Sequence, residues 1–478
     1  MSLLKFYNTL TKKEEEFFPL KKSAVSLYTC GPTVYDYAHT GNLRKYIFDD
    51  LLIRVLLINN YKVKHVINIT DIGHLVSDAD EGEDKMMKAL VREGLQPNSD
   101  SLLELAAKYT RAFKRNIAAL NIFSYTTNKN YTIIWAKATD HIKEQIKLIK
   151  KLQKKGYIYE TSDGWYFDTA KLQDYGKLTG QNLNDLQEGA RVEKNPEKKN
   201  PTDFVLWVKA TKKNKNHVMT WESPFGKGFP GWHIECSAMA MKYLGKTLDI
   251  HTGGIDHIPV HHTNEIAQSE AATGKPFSRF WLHSNFLTIR NEKMSKSKSG
   301  FATIEDLLKA GFSPMDYRYL CLTAHYRAPL AYSLEALEGA KNSRLKLINE
   351  LTKVKKRGQI IEAEWQKFLK IINQDLNTPQ ALAFVWQLLK NKKYPLEDIT
   401  TTILKCDEIF GLDLKLAWRQ IKQDKKTKAP QEIINLAEKR LKAKQNKNFE
   451  TADNLREEIN NQSWEIEDTK NSYILRKK

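Results

Sequence analysis

The sequence predicts an α/β protein whose parallel sheet is divided by an insertion and followed by a largely helical region. Short apolar stretches alternate with amphipathic helical patterns over residues 24–69 and again over 231–289, which is typical of a parallel sheet. Residues from about 125 to 225 have a mixed pattern with polar basic stretches, which indicates an insertion between the two halves. The chain has 478 residues, too many for one hydrophobic core, so we expect three or four modules.

In the first half, Ala24–Thr29 is short, apolar and β-branched, and predicts a buried strand that ends before Gly31-Pro32. A helix is expected from near Gly41. The following elements are expected further along: a strand at Val63–Ile69, helices at Ser101–Leu120 and Tyr131–Lys155, a hairpin at Tyr157–Asp168 and a strand at Phe204–Lys209.

The second half repeats the alternation, and the remainder of the chain has helical spacing. The expected elements of the second half are a helix at His233–Tyr243, a strand at Thr247–His251, a helix at His261–Thr273 and a strand within Arg279–Ile289. The expected tail helices are Ser333–Lys356, Glu362–Gln374, Thr378–Asn391 and Leu396–Phe410, with a short strand pair near Trp464 and Tyr473.

Composition narrows the class of protein. The formal net charge of +19 indicates a phosphate-rich partner, with nucleic acid the first candidate, although a general richness in lysine would also produce it. The four cysteines are too scattered for a disulfide framework, which favours reduced thiols or metal ligands: Cys30, Cys236, Cys321 and Cys406. No stretch is apolar enough to span a membrane, and the first 20 residues are too acidic for a signal peptide, so we expect a cytoplasmic protein.

The passage from the first strand into the first helix carries chemically useful side chains. The start of a helix that follows a strand presents free backbone N–H groups and is a ready anion site. Cys30 adds a thiol there, His39 a ring nitrogen, Gly41 a small turn residue and Asn42 an amide. A structural cysteine and an incidental histidine are the alternative interpretation.

A second set of residues could bind a metal with Cys30. Three candidate ligands lie in the second half: Cys236, His261 and Glu265. His261 and Glu265 are four residues apart and would share one helix face. Thiol, imidazole and carboxylate are all zinc ligands, and Cys30 would complete a tetrahedral set. His257 and His262 remain alternatives to His261.

A lysine- and serine-rich segment, Asn291–Gly300, follows the last predicted strand. Lys293 and Lys296 could neutralise a polyphosphate as charge develops on it. A solvated run of charge is the alternative. The pattern G-x-x-x-x-G-K-[ST] does not occur in the sequence, which disfavours P-loop chemistry.

These motifs together resemble the class I aminoacyl-tRNA synthetases and, among them, the cysteinyl-tRNA synthetase family. His39-Thr-Gly-Asn42 is similar to the HIGH signature of the class, with Thr40 for isoleucine and Asn42 for the last histidine. Lys293-Met-Ser-Lys-Ser297 matches the KMSKS signature in full. The segments similar to the family's own are Cys30–Tyr35, Gly231–Met239, His261–Ser269, Asp375–Pro379 and Ala452–Arg456.

The resemblance implies a Rossmann-type catalytic domain, split by an insertion, followed by a helical bundle and a small C-terminal domain. The domain bounds we expect are 1–125 and 226–290 for the two halves of the catalytic domain, 126–225 for the connective insertion, 291–340 for the KMSKS loop and stem-contact segment, 341–412 for the bundle and 413–478 for the anticodon-binding domain.

The resemblance also implies a reaction: ATP-dependent ligation of L-cysteine to tRNA(Cys) through a cysteinyl-adenylate, with release of AMP and pyrophosphate, in a monomer. It implies one Zn²⁺ held by Cys30, Cys236, His261 and Glu265, with cysteine selected by a thiolate–zinc bond, and Mg²⁺ accompanying ATP. The implied ATP-binding residues are His39, Gly41, Asn42, Lys293, Ser295 and Lys296, of which His39, Asn42, Lys293 and Lys296 are the catalytic candidates. The candidates for binding the substrate's ammonium and carboxylate are Thr70, Trp232, His251 and Asp256.

Three other functions compete with this one. A ligase that transfers cysteine from the same adenylate to an amino-sugar would keep the zinc and both nucleotide loops but would not need the basic tail from residue 413. A non-enzymatic RNA-binding protein with a structural zinc would not need an intact KMSKS segment. A zinc hydrolase is disfavoured because no H-E-x-x-H pattern is present.

Overall fold

The computed structural model describes residues 3–72, 85–125, 127–180, 196–211, 217–289, 302–354, 356–424, 429–446, 448–468 and 472–477. The segment Asn291–Gly300, with Lys293, Ser295 and Lys296, lies outside these ranges, as does the acidic segment 73–84.

Fifteen strands are present in the described part of the chain. Their bounds are β1 Lys5–Asn8, β2 Lys13–Glu16, β3 Ala24–Thr29, β4 Lys62–Ile69, β5 Tyr131–Lys137, β6 Ile158–Glu160, β7 Gly164–Phe167, β8 Phe204–Lys209, β9 Gly228–Pro230, β10 Leu248–Gly254, β11 Ser278–Ser284, β12 Leu287–Ile289, β13 Leu330–Tyr332, β14 Trp464–Asp468 and β15 Tyr473–Lys477.

Fifteen α-helices accompany them in the same described ranges. Their bounds are α1 Thr40–Ile58, α2 Lys85–Arg92, α3 Ser99–Ala119, α4 Ile142–Lys154, α5 Trp232–Leu244, α6 Thr263–Thr273, α7 Ile304–Lys309, α8 Pro314–Leu322, α9 Leu334–Leu351, α10 Glu362–Ile372, α11 Thr378–Leu389, α12 Leu396–Phe410, α13 Leu414–Asp424, α14 Gln431–Gln445 and α15 Phe449–Asn461.

The central sheet has five parallel strands in the order β11-β10-β3-β4-β5. The chain order changes between β3 and β10, which lie side by side although more than 200 residues separate them. Strands on either side of such a change end at one edge and open a crevice there. The α/β fold class with a parallel sheet and a helical region after it is therefore confirmed.

One predicted helix, Tyr131–Lys155, is wrong in its first third. Residues Tyr131–Lys137 form β5, which pairs in parallel with β4, and the helix begins only at Ile142. The run Tyr-Thr-Ile-Ile-Trp is aromatic and β-branched, which suits a pleated surface beside an existing strand better than a helix. Tertiary pairing therefore decided the structure of this segment.

The strand predicted within Arg279–Ile289 is divided in two. The strand β11 ends at Ser284, and β12 begins at Leu287 and pairs with β13 in a separate two-stranded sheet. The buried guanidinium of Arg44 on α1 lies at the break, where it donates to the carbonyl oxygens of Asn285, Phe286 and Ala328. The Arg44 guanidinium therefore satisfies backbone carbonyls both directly after β11 and shortly before β13.

A separate antiparallel sheet has the order β6-β7-β8-β9, and its first three strands lie within residues 126–225, the segment predicted to be an insertion. The hairpin expected over Tyr157–Asp168 is present as β6 and β7, and the strand expected at Phe204–Lys209 is β8. Between β7 and β8, the Tyr175 hydroxyl donates to Asn264 Oδ1 on α6 at 2.7 Å.

The chain separates into two compact units. The first comprises residues 1–342, 361–391 and 408–412, and contains the central sheet. Its core includes the side chains of α5 and α6 against the sheet, where small residues of both helices allow close packing. No helix among the described residues is long and apolar enough to cross a membrane.

The second unit comprises residues 343–360, 392–407 and 413–478. Trp464, whose sequence context left open whether it stacks on RNA or belongs to a core, is buried with Leu436, Ile459 and Ile466. The structure therefore places Trp464 in the core of this unit. Beside it, Arg440 donates to both carboxylate oxygens of Asp468, at 2.6 and 3.1 Å.

Candidate active site and metal centre

The start of α1 is capped by two residues of the first signature. The His39 ring accepts from the backbone N–H of Asn42 through Nδ1, and the Asn42 side chain accepts from the backbone N–H of His39, both at 3.3 Å. With Nδ1 as acceptor, the neutral ring carries its proton on Nε2, which is then a donor. The first turn has no acidic residue, so the positive end of the helix dipole is not neutralised there.

Ala302 and Thr303, which follow the second signature segment, contact the start of α1. The backbone N–H of Thr40 donates to the carbonyl of Ala302 at 2.9 Å, and His39 and Thr303 form an antiparallel bridge. Ala302 is the first described residue after the segment that contains Lys293, Ser295 and Lys296. The chain immediately after that segment, from Ala302, therefore contacts the start of α1.

The four predicted metal ligands lie together. One donor atom from each of Cys30, Cys236, His261 and Glu265 can be chosen so that all four lie within 4.8 Å of one another, and all four residues are buried. The Nε2 atom of His261 is 2.7 Å from Oε1 of Glu265. Two soft sulfurs, one imidazole and one carboxylate are a donor set that suits zinc.

Three elements bring these donors together. Cys30 follows directly on β3, and Cys236 lies on α5. His261 lies in a π-helical turn, Ile258–His262, that leads into α6, where Glu265 follows one turn later. A π turn widens the helix locally and is frequent at functional sites.

Close backbone approaches make this convergence possible at two glycines. A Cβ at Gly31 would collide with the carbonyl oxygen of Asn68, which lies at the end of β4. A Cβ at Gly253 would lie 2.5 Å from the His262 ring and 2.7 Å from the His257 ring. Both positions therefore require the absence of a side chain, and both lie at the carboxyl edge of the sheet.

The electrostatics of the cluster favour a bound cation. Burial alone would lower the pKa of His261, but the charges of Glu265 and Cys30 and the hydrogen bonds to them together raise that pKa to about 10. Burial also opposes ionisation of Cys30, yet a hydrogen bond from Cys236 and the neighbouring histidines hold the pKa of Cys30 well below its usual range. The same hydrogen bond, which Cys236 donates, and burial raise the pKa of Cys236 well above its usual value.

Three of the four candidate ligands have a polar partner from outside the set. Glu265 Oε2 lies 2.7 Å from His251 Nε2, His261 Nδ1 lies 3.0 Å from His233 Nδ1, and Cys30 Sγ lies 3.3 Å from His262 Nε2. The His262 ring is held in turn by His283, at 2.7 Å between Nδ1 and Nε2. Such outer contacts orient metal ligands and set the tautomer of a ligating histidine.

A second group of donors also meets the distance criterion, namely Cys30, His251, His262 and Glu265. Ligating histidines almost always use their other ring nitrogen in a hydrogen bond. The Nδ1 atom of His251 is buried and has no partner among the described residues, whereas Nδ1 of His261 is paired with His233. This contrast favours the group that contains His261, although His262 stays an alternative ligand.

The four candidates for binding the amino acid's polar groups lie around the same edge. The Thr70 hydroxyl is buried and donates to Glu235 at 3.3 Å. The Trp232 ring is half-buried, and its centroid lies 4.3 Å from the centroid of the His261 ring. His251 already contacts Glu265, and Asp256 is exposed beside Gly254. Their role in substrate binding stays a prediction.

Sequence inspection missed part of this site. The outer partners His233 and His283 had not been assigned a role, and neither had Lys45. The Lys45 ammonium pairs with Asp49 at 2.9 Å and donates to the carbonyl of Cys30 at 2.5 Å. Lys45 follows Asn42 by three residues on one helix, so its helical spacing places it on the same face and could have indicated it.

Comparison with known proteins identifies the class. Residues 16–342 match the family model of the tRNA synthetases class I (C) catalytic domain. The fold is similar to that of Mycobacterium tuberculosis methionyl-tRNA synthetase, solved in complex with methionyl-adenylate. The TM-score is 0.54 at 17% sequence identity, over 82% of this chain and 90% of that one. The fold and the matched domain are those of a class I aminoacyl-tRNA synthetase.

Curated relatives identify the branch of that class. The chain is 43% identical to the cysteine--tRNA ligase of Treponema denticola over 97% of its length and 98% of the relative's. It is 44% identical to cysteine--tRNA ligase 1 of Burkholderia lata, over 98% of this chain and 95% of that one. The chain belongs to the cysteine--tRNA ligase family.

Proposed function

We propose that this enzyme ligates L-cysteine to tRNA(Cys) with ATP, through a cysteinyl-adenylate, and selects cysteine by a bond between zinc and the substrate thiolate. Family membership over nearly the full length supports the overall reaction. The observation that carries the choice of amino acid is the convergence of Cys30, Cys236, His261 and Glu265.

The four ligands would hold one Zn²⁺. When bound, zinc supplies a thiophilic centre that favours the thiolate of cysteine over the hydroxyl of serine, a distinction that an apolar pocket makes poorly. The outer partners His233, His251 and His262 keep the ligating atoms turned inward. The substrate's ammonium and carboxylate would contact Thr70, Trp232, His251 and Asp256 around the same edge of the sheet.

ATP would bind where α1 begins. Free N–H groups of the first turn, the Nε2–H of His39 and the amide of Asn42 are donors suited to phosphate oxygens, and Gly41 lets the nucleotide approach the backbone. Lys293, Ser295 and Lys296 would contact the phosphates, with Mg²⁺ accompanying ATP. In-line positioning of the reactants and stabilisation of charge on the phosphates would supply most of the rate acceleration for adenylate formation.

Transfer to tRNA requires the acceptor end to reach this crevice while the basic C-terminal region contacts the rest of the RNA. We propose the domain bounds given above for the catalytic halves, insertion, stem-contact segment, bundle and anticodon-binding domain. We also propose that the enzyme acts as a monomer in the cytoplasm. The net charge of +19 agrees with an RNA partner.

Metal analysis combined with ATP–pyrophosphate exchange tests the proposal. We expect about one zinc per chain and exchange that depends on cysteine. Charging of tRNA(Cys) then separates this function from amino-sugar ligation, which would show the same exchange without charging. Absence of cysteine-dependent exchange in the zinc-loaded protein would contradict the proposal.

A further inference from the structure

The start of α1 is held by a buried side chain from a distant helix. The Tyr317 hydroxyl of α8 donates to the carbonyl oxygen of Thr40 at 2.7 Å, and neither residue has any exposed surface. Thr40 is the first residue of α1 and the second residue of the signature His39–Asn42. The hydrogen bond therefore ends on the backbone of the segment that would present donors to ATP in the proposed function.

This hydrogen bond fixes one particular peptide group. The carbonyl of Thr40 and the N–H of Gly41 belong to the same peptide plane, which is rigid because its C–N bond has partial double-bond character. The N–H groups of the first helical turn have no acceptor within the helix. A donor that holds the Thr40 carbonyl oxygen therefore also sets the direction of the Gly41 N–H.

The preceding peptide group is held from the same part of the chain. The N–H of Thr40 donates to the carbonyl of Ala302 at 2.9 Å, so both backbone polar groups of Thr40 have partners that follow the second signature segment. His39 and Asn42, whose side chains cap the helix, lie on either side of the two peptides fixed in this way. The directions of the candidate phosphate donors therefore depend on these two contacts.

A second contact keeps α8 in place against α1. The Arg318 guanidinium, next to Tyr317, donates to Asp50 Oδ2 at 2.5 Å, and both of these side chains are fully buried. Asp50 lies further along α1 than Thr40, so two neighbouring residues of α8 contact two separate turns of α1. Burial, as the largest cause, raises the pKa of Tyr317 well above its usual value, so the phenol keeps the proton that it donates.

We propose that Tyr317 is a positioning residue of the ATP site, and that its hydroxyl holds the Thr40–Gly41 peptide so that the Gly41 N–H, with His39 and Asn42, faces a phosphate of ATP. This inference rests on the ATP site of the proposed function. Tyr317 itself would not contact the phosphate, because the C=O and N–H of a trans peptide point in opposite directions. The role is non-covalent.

Tyr317→Phe tests the role because it removes only the oxygen and keeps the ring. Calorimetric titration of the full-length protein with Mg-ATP, without cysteine, measures nucleotide affinity directly. We expect the affinity to fall about 3- to 10-fold, the effect of losing one neutral hydrogen bond. The matched control is Tyr319→Phe, which removes another buried hydroxyl from the same helix, one that accepts from Trp386 Nε1 at 3.0 Å. This control should keep the affinity of the original protein.

Kinetics distinguish positioning from a purely structural role. In cysteine-dependent ATP–pyrophosphate exchange, Tyr317→Phe should raise the KM for ATP about 3- to 10-fold. The KM for cysteine should change less than about twofold, because the hydrogen bond acts on the phosphate donors. A purely structural role would lower the midpoint of thermal unfolding and leave the KM for ATP unchanged. If Tyr317→Phe fails to fold, 4-fluorophenylalanine at position 317 fills the volume of the hydroxyl without a proton to donate, and the same loss of affinity is expected.

The outcomes separate this inference from the proposed function. Binding of Mg-ATP by the original protein, with equal affinity in Tyr317→Phe or in the 4-fluorophenylalanine variant, would overturn the role of Tyr317 alone, and so would an equal loss in Tyr319→Phe. Failure of the original protein to bind Mg-ATP would overturn both this role and the proposed ATP site. Normal binding of Mg-ATP without cysteine-dependent exchange would overturn the proposed reaction, while the calorimetric comparison would still decide the role of Tyr317.

Discussion

The backbone N–H of Thr40 donates to the carbonyl oxygen of Ala302 at 2.9 Å, which joins the first signature to the residues that follow the second. These two residues are about 260 positions apart in the sequence, yet the contact holds Ala302 at the start of α1. Ala302 follows Lys296 by six residues in the sequence, so the contact agrees with the proposed role of that lysine at the phosphates.

The first prediction concerns Lys296. Lys296→Ala should lower the rate of cysteine-dependent ATP–pyrophosphate exchange about 100- to 1,000-fold, since the cation would act on charge that develops in the transition state. The KM for cysteine should change by less than about threefold, because the side chain would not contact the amino acid. Lys298→Ala, in the same segment but outside the signature, serves as the control and should leave exchange nearly intact. Equal losses in rate and in cysteine binding would contradict the role.

Removal of the metal should abolish the selection of cysteine over serine while the protein stays folded. We expect protein stripped by a chelator to lose cysteine-dependent exchange and to retain no more than about a tenfold preference for cysteine over serine, since steric selection between the two is weak. Exchange measured with each amino acid, before and after zinc is restored, checks this. Magnesium added alone is the control. A metal-free enzyme that still strongly prefers cysteine would exclude selection through zinc.

Deletion of residues 413–478 should separate the two half-reactions. The catalytic crevice lies in the other unit, so exchange should persist within about threefold, while charging of tRNA(Cys) should fall at least about 100-fold as basic contacts to RNA are lost. Exchange by the truncated protein is itself the control for an intact catalytic domain. Undiminished charging would show that the C-terminal region does not contribute to tRNA binding.

The buried histidine of β4 predicts a pH dependence of stability. Burial, with a contribution from Lys45, lowers the pKa of His65 to about 3. The unfolded chain would bind a proton near pH 6.5, whereas the folded state would not, so this contribution to stability is complete above pH 6.5 and is lost progressively down to about pH 3.

Comparison of the original protein with His65→Gln isolates that contribution. Between pH 6.5 and 5, the free energy of unfolding of the original protein should fall more steeply than that of the variant, by up to about 1.4 kcal/mol per pH unit. Denaturant titrations at each pH provide the measurement. Parallel pH profiles for the two proteins would show that His65 does not titrate differently in the folded and unfolded states.

The chemistry of the site could be read largely from local patterns. The strand before Cys30, the helix after His39 and the four-residue spacing of His261 and Glu265 are short-range features, and the structure has all of them. Zinc ligation and the nucleotide role of these residues stay predictions. The cysteine--tRNA ligase family was also predicted, because its motifs are spread over nearly the whole chain, and the comparisons confirm it.

Other features could not be predicted because they depend on partners distant in sequence. Residues Tyr131–Lys137 have apolar spacing compatible with a buried helix, and only the free edge of β4 made them a strand. The burial of Trp464 depends on packing among α14, α15 and the last strand pair, which are separate elements of the sequence.

The sequence by itself determined which residue types could hold a metal and where phosphates could approach a helix start. Only the tertiary structure decided which groups surround them: His233 beside His261 and His251 beside Glu265. The physical reason is that β3 and β10 lie adjacent in one parallel sheet, and sheet order depends on packing of the whole chain and not on local propensity.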